Sequence, residues 1–193
     1  MIHTIEGVVK LKGENFVVVE TGSAGGLGFK VFTNKNILFS IKKGKKISFF
    51  TYLYLRENEM ELYGFKDEKT LRLFEMLKSV SGIGPKTALG VLDTDKTERI
   101  IAAIVEKRAD FLTKTPGIGK KTADRVILEL KSKLSLPKAG EITEVMDVDS
   151  DLEDTLASLG YPKKHIKRAL SKLGDKPVEL EERLKEALKL LSK

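Results

Sequence analysis

The tripeptide Gly-Ile-Gly occurs twice, at Gly82-Ile83-Gly84 and Gly117-Ile118-Gly119, and each copy runs through lysine into a Thr-Ala pair that opens an apolar helical stretch. The surroundings match too: Val80-Ser81-Gly82-Ile83-Gly84-Pro85-Lys86-Thr87-Ala88 against Thr115-Pro116-Gly117-Ile118-Gly119-Lys120-Lys121-Thr122-Ala123. Glycines so spaced confine each copy to a tight turn between two short helices, because glycine tolerates positive φ and leaves the backbone N–H groups uncovered. Those donors belong to the start of the following helix, whose unsatisfied amides and positive dipole end favour an anion. Lys86, Lys120 and Lys121 add mobile positive charge, so a DNA phosphate suits the site. Ile83 and Ile118 are expected to plug the turns into the core, Ala88 and Ala123 to let the helices pack closely, and Pro85 to sit in a first helical turn. A single copy reads equally as a helix cap followed by a solvated lysine; the matched pair makes Gly82, Gly84, Lys86, Gly117, Gly119, Lys120 and Lys121 candidate DNA-backbone contacts. Arg125, one turn past Lys121, either faces the same phosphates or pairs with Glu129 at i+4.

Upstream, the texture is that of strands. Five β-branched or aromatic runs, at residues 2–9, 16–19, 29–32, 47–55 and 60–63, are separated by Gly, Asn and Lys. Five short strands in about sixty residues suggest a small barrel, and the OB-fold leads because it is a five-stranded barrel that commonly binds nucleic acid. The loop from Gly22 to Gly28 reads as flexible. Lys42-Lys43-Gly44-Lys45-Lys46 is a basic turn, either solubilising or placed against a phosphate. Arg56-Glu57-Asn58-Glu59 closes a hairpin with apolar arms; Glu57 and Glu59 belong either to an ordinary exposed turn or to a metal site, although a nuclease centre needs several converging carboxylates.

From Lys66 the period becomes helical, with about five helices expected over residues 66–135. Residues 135–150 then bring Pro137, Gly140 and several acids among few large apolar side chains, and so read as a tether. Beyond it, Leu152, Leu156 and Leu159, then Ile166, Leu170 and Leu173, then Val178 to Leu191 form a three-helix pattern with Gly160 and Gly174 as stops. A module of this size cannot bury everything apolar, so Leu156, Leu159, Tyr161, Ile166 and Leu170 are either its core or an exposed docking surface. His165 is expected at the surface.

Charge supports the nucleic-acid reading. The 193 residues carry a formal net charge of +7, and the excess of Lys and Arg lies around the glycine turns, in residues 65–136, and in the segment before them, while residues 137–193 are slightly acidic. With no cysteine, disulfides and cysteine-ligated metals are excluded, which suits a reducing cytosol. Neither a secretory start nor an apolar run long enough to span a membrane is seen. No Gly-x-x-x-x-Gly-Lys-[Ser/Thr] loop is present for nucleotide phosphates.

Along its whole length the sequence resembles the Holliday-junction-binding RuvA family of bacteria. The resemblance is carried by Leu62-Tyr63-Gly64-Phe65, by the Gly-x-Gly-Pro-Lys and Pro-Gly-Ile-Gly-Lys-Lys-Thr-Ala turns, and by Leu159-Gly160-Tyr161. It implies a multidomain α+β chain: an N-terminal five-stranded OB-fold β-barrel (1–64) that tetramerises and carries an acidic pin at Glu57 and Glu59, an all-α domain with two helix-hairpin-helix motifs (65–136), a flexible linker (137–148), and a C-terminal three-helix, UBA-like domain (149–193) that docks on the RuvB motor ATPase. It further implies a cytoplasmic homotetramer, or an octamer on DNA, that holds a four-way junction open and square-planar for branch migration in homologous recombination and in DNA repair after SOS-inducing damage. The RuvC resolvase is a further implied partner, and no cofactor is implied. Asn58 stands where many members carry a second acid, Gly26-Leu27-Gly28-Phe29 where Gly-Val-Gly-Tyr is common, and the linker is short. Against this adaptor reading stand a DNA glycosylase or structure-selective nuclease subunit, since helix-hairpin-helix motifs occur in both, and a sequence-tolerant nucleic-acid coat protein that needs no motor.

Overall fold

The alternating runs of the first third close on themselves. The computed structural model describes residues 2–22, 25–174 and 179–192; Ser23 and Ala24 of the expected flexible loop, and Val178 at the expected start of the last helix, lie outside the described residues. Strands β1 (Thr4–Lys12), β2 (Phe16–Glu20), β3 (Gly28–Phe32), β4 (Lys46–Arg56) and β5 (Glu59–Phe65) form a closed barrel in the order β1-β2-β3-β5-β4. All neighbours are antiparallel except β3 and β5, which is OB-type topology. Alternation sends Val17, Val19, Val31, Phe49 and Leu62 inward.

A short helix, α1 (Lys35–Ser40), joins β3 to β4 and buries Ile37 and Leu38 in the barrel core. The sequence pattern predicts no helix there. Six residues are too few to show a period, but a cap signal exists: the Asn34 side chain accepts the Ile37 N–H at 2.9 Å.

The middle of the outer face of β4 and β5 is covered by the helices that follow. Tyr54, Tyr63 and Phe65 join the core of the helices that follow, with the Phe74 ring centroid 4.9 Å from Phe65, 5.2 Å from Tyr63 and 5.6 Å from Tyr52. Barrel and helices are thereby fused through one aromatic cluster. The helices number five over this stretch: α2 (Glu68–Ser79), α3 (Pro85–Leu92), α4 (Thr97–Val105), α5 (Ala109–Leu112) and α6 (Lys120–Leu130). Leu71, Phe74, Leu77, Ile100, Ile104 and Leu130 fill their centre.

The tether is where the fold departs from the sequence pattern. Within the 137–148 stretch expected as a flexible linker, Ala139 begins a 20-residue helix, α7 (Ala139–Ser158), whose first half packs on α4. Ala139, Thr143, Val145, Asp149, Leu152 and Leu156 are its buried residues and recur at helical spacing. The physical reason is Asp149, only 5% exposed: an inward aspartate breaks the apolar pattern, yet it is neutralised by Arg99 of α4 at 2.6 Å and by Arg183. The second half of α7 packs with α8 (Lys163–Leu170) and α9 (Leu180–Leu191) around Leu152, Leu156, Ile166, Leu173 and Ala187.

Candidate nucleic-acid interface

Both glycine turns adopt one backbone geometry. Gly82 has φ 92° and Gly117 φ 87°, whereas Gly84 (φ −86°, ψ 172°) and Gly119 (φ −87°, ψ 174°) are extended and cap α3 and α6. Hydrogen bonds repeat in register: Ile83 N–H to the Val80 carbonyl at 3.0 Å and Ile118 N–H to Thr115 at 3.1 Å, then Ala88 N–H to Gly84 at 2.9 Å and Ala123 N–H to Gly119 at 3.0 Å. Ile83 and Ile118 are buried, as are Ala88 and Ala123.

Each turn opens outward. At Gly84, Gly117 and Gly119 nothing lies within 4 Å of where a Cβ would stand, and at Gly82 the nearest atom is Arg125 Nη1 at 4.0 Å. Neither α3 nor α6 has a side-chain cap, so the first-turn amides present their partial positive charge to the surface. Lys86, Lys120 and Lys121 are exposed beside them. Arg125 takes a partner that neither alternative from the sequence named: its Nη1 donates to the Ser81 carbonyl at 3.0 Å. A residue of the second copy's helix thus grips the loop of the first, setting the two anion-attracting corners side by side.

At one tip of the barrel, Glu57 and Asn58 form the two-residue turn between β4 and β5, with Arg56 opposite Glu59 as the last strand pair. Glu57 and Glu59 are exposed, and the pair below them, Leu55 and Met60, is 62% and 77% exposed. Among the described residues no group of three or more His, Asp or Glu side chains converges as metal ligands would. The basic turn Lys42–Lys46 is pinned to β1 by the Gly44 N–H donating to Val9 and the Val9 N–H donating to Lys45; it lies at the start of β4, the end away from Glu57.

Sequence reasoning missed two cations between these features. Lys78, in the last turn of α2, holds its Nζ 4.9 Å from the Tyr52 ring centroid and 5.5 Å from that of Tyr54, and Arg56 stands 5.2 Å from the same Tyr54 ring. The signal available in sequence was the alternation Tyr52, Tyr54, Arg56 along one face of β4.

In the C-terminal module the expected docking residues separate. Leu156 and Ile166 are fully buried and are core, because they face the α7–α8 seam. Leu159 is 60% exposed, Tyr161 and Leu170 are half-buried, and His165 is at the surface. Carboxylates elsewhere respond to their neighbours. Arg108 clamps Asp110 and, at 2.8 and 2.9 Å, both oxygens of Asp147 on α7; this bridge holds the Asp110 carboxyl below the usual range. Burial pushes the Asp93 carboxyl up, against the Lys35 N–H that donates to it at 2.6 Å. No described helix is long and apolar enough to cross a membrane.

Comparison with known families covers nearly the whole chain. The RuvA N terminal domain matches residues 1–64, the SAM-like helix-hairpin-helix tandem residues 74–132, and the RuvA C-terminal domain residues 147–192. Relatives named Holliday junction branch migration complex subunit RuvA include that of Acholeplasma laidlawii, 41% identical over 100% of both chains, and that of Dehalococcoides mccartyi, 38% identical over 97% of both. The relative of Caldanaerobacter subterraneus is 39% identical, again over the full length of each. With the barrel, the paired glycine corners and the terminal helices all falling inside those matches, the chain belongs to the RuvA family.

Proposed function

We propose that this protein binds four-way (Holliday) junction DNA by its shape, holds the junction open and square-planar, and recruits the RuvB ATPase for branch migration in recombination and repair, itself carrying out no chemistry. The observation that carries this reading is the pair of superposable glycine corners joined by Arg125 to Ser81. Two uncapped helix starts side by side suit two phosphates of one duplex arm. Contacts of this kind carry no base information, so recognition rests on the shape of the branch. A homotetramer, or an octamer formed from two, gives each of four arms one identical subunit. In that assembly Glu57 and Glu59 form an acidic pin that repels phosphates at the crossover, and the exposed Leu159 with the edges of Tyr161 and Leu170 forms the surface offered to RuvB. RuvC would act on the same junction, in the cytoplasm.

Titration of a synthetic four-way junction and a linear duplex of equal length, at several salt concentrations, tests the reading. Tighter binding to the junction, with affinity falling steeply as salt rises, is expected; equal affinity for both would overturn it. Replacing Lys120 and Lys121 by Gln is expected to weaken binding to both DNAs and to flatten the salt slope by roughly 0.9 for each phosphate no longer neutralised. Glu57→Gln is expected to leave binding intact and to change the rate of motor-driven migration, measured with purified RuvB.

A further inference from the structure

The acidic turn and the first glycine corner are connected by a line of charge that neither feature explains. Arg56 immediately precedes Glu57, and Lys78 lies two residues before Val80, whose carbonyl anchors the first corner. Both cations rest on the ring of Tyr54, which is 9% exposed and locked into the core shared by barrel and helices. Lys78 also covers Tyr52, whose ring packs on Phe74.

How these two cations are held matters. Other cations of the helical part spend their charge on carboxylates, as Arg108 does on Asp110 and Asp147 and Lys69 on Glu98. Among the described residues neither Arg56 nor Lys78 is in an ion pair, although Glu59 lies opposite Arg56 in register. An aromatic face orients a cation without neutralising it, so both charges remain available to an anion. A cation fixed beforehand also loses less side-chain freedom on binding.

The geometry points to Arg56 and Lys78 as a two-step phosphodiester track that guides the strand leaving the crossover from the acidic turn to the first glycine corner. This inference rests on the junction-binding reading above and names further contacts for it. The ligand is the sugar-phosphate backbone at the branch point, since buried rings that carry cations on their faces leave no platform for bases. In this reading a linear duplex, which has no crossover, seats on the glycine corners and is not led along the track.

The test is the double variant Arg56→Gln, Lys78→Gln, with each single variant beside it, titrated with junction and with duplex across a salt series. Leaving two phosphates without their cations predicts a slope of log affinity against log salt shallower by about 1.8 on the junction, at roughly 0.9 per phosphate, and unchanged on the duplex. The charge-conserving pair Arg56→Lys, Lys78→Arg is expected to restore the junction slope, which a merely structural role would not require. An unchanged junction slope, or an equal decrease on duplex, would overturn the track while leaving the junction reading in place. Wild-type protein that fails to prefer junction over duplex would overturn both.

Discussion

Gly82 and Gly84 sit two residues apart and are needed for different reasons. At Gly82 and Gly117 the backbone is left-handed, where a Cβ crowds the following carbonyl and costs roughly 1–2 kcal/mol. At Gly84 and Gly119 φ is ordinary and no atom would meet a Cβ, so only a ligand feels its addition. Gly82→Ala and Gly117→Ala are therefore expected to lower thermal stability by about that amount, read by circular dichroism. Gly84→Ala and Gly119→Ala are expected to melt like wild type but bind a four-way junction several-fold more weakly. Duplication made these glycines legible in sequence, along with the buried Ile83 and Ile118. The partner of Arg125 was not legible, because its acceptor is the backbone carbonyl of Ser81, 44 residues away, and a carbonyl carries no residue identity. The track of Arg56 and Lys78 was hidden in part: Arg56 shares one face of β4 with Tyr54, but the rings under Lys78 belong to another element.

Among the elements, the strands and the longer central helices α2, α4 and α6 could be read from their period, since each has an apolar face that repeats at 2.0 or 3.6 residues, whereas the four residues of α5 show none. The two helices that the pattern missed outright, α1 and α7, fail for opposite reasons. Helix α1 is too short to show a period. Helix α7 is long enough but buries an acid, and a chain of Asp and Glu with one Pro and one Gly looks like a tether until Asp149 meets its partners. Asp149 accepts from Arg99 at 2.6 Å and from Arg183 Nε at 2.9 Å, with all three side chains under a tenth exposed. Arg183 also donates to the Gly174 carbonyl. Removing the central charge takes from two buried guanidinium groups the carboxylate they share, although Arg99 keeps Asp95 at 3.5 Å and Arg183 keeps the Gly174 carbonyl. Asp149→Asn is thus expected to cost about 3–5 kcal/mol, measured by urea unfolding, and to loosen α9 in hydrogen exchange along with α7. A loss confined to α7 would mean that Arg183 finds another partner.

Across the whole molecule, cations divide by duty. Those at the glycine corners, Lys86, Lys120 and Lys121, stand exposed on the surface, while Arg99, Arg108 and Arg183 are matched to acids and fasten the C-terminal helices to the central ones. This division lets the chain hold its net positive charge of +7 where an anionic ligand can neutralise it. It also makes attachment of the last helices sensitive to acid. Arg108 holds Asp110 below its ordinary range, so the stabilisation is fully present above the unfolded carboxyl value near about 3.9 and is lost as pH falls through the depressed folded value. The same guanidinium binds both oxygens of Asp147 on α7, so protonating Asp110 loosens the residue that holds α7. Both carboxylates are largely exposed, and the effect is expected to be modest and weakened by salt. Thermal melts from pH 7 to pH 2 should show wild type losing more of its melting temperature below about pH 4 than Arg108→Met does, with the two curves converging at the acid end. Parallel curves would mean that α7 is held to α4 by the Arg99–Asp149 pair and apolar packing alone, with the surface clamp adding nothing.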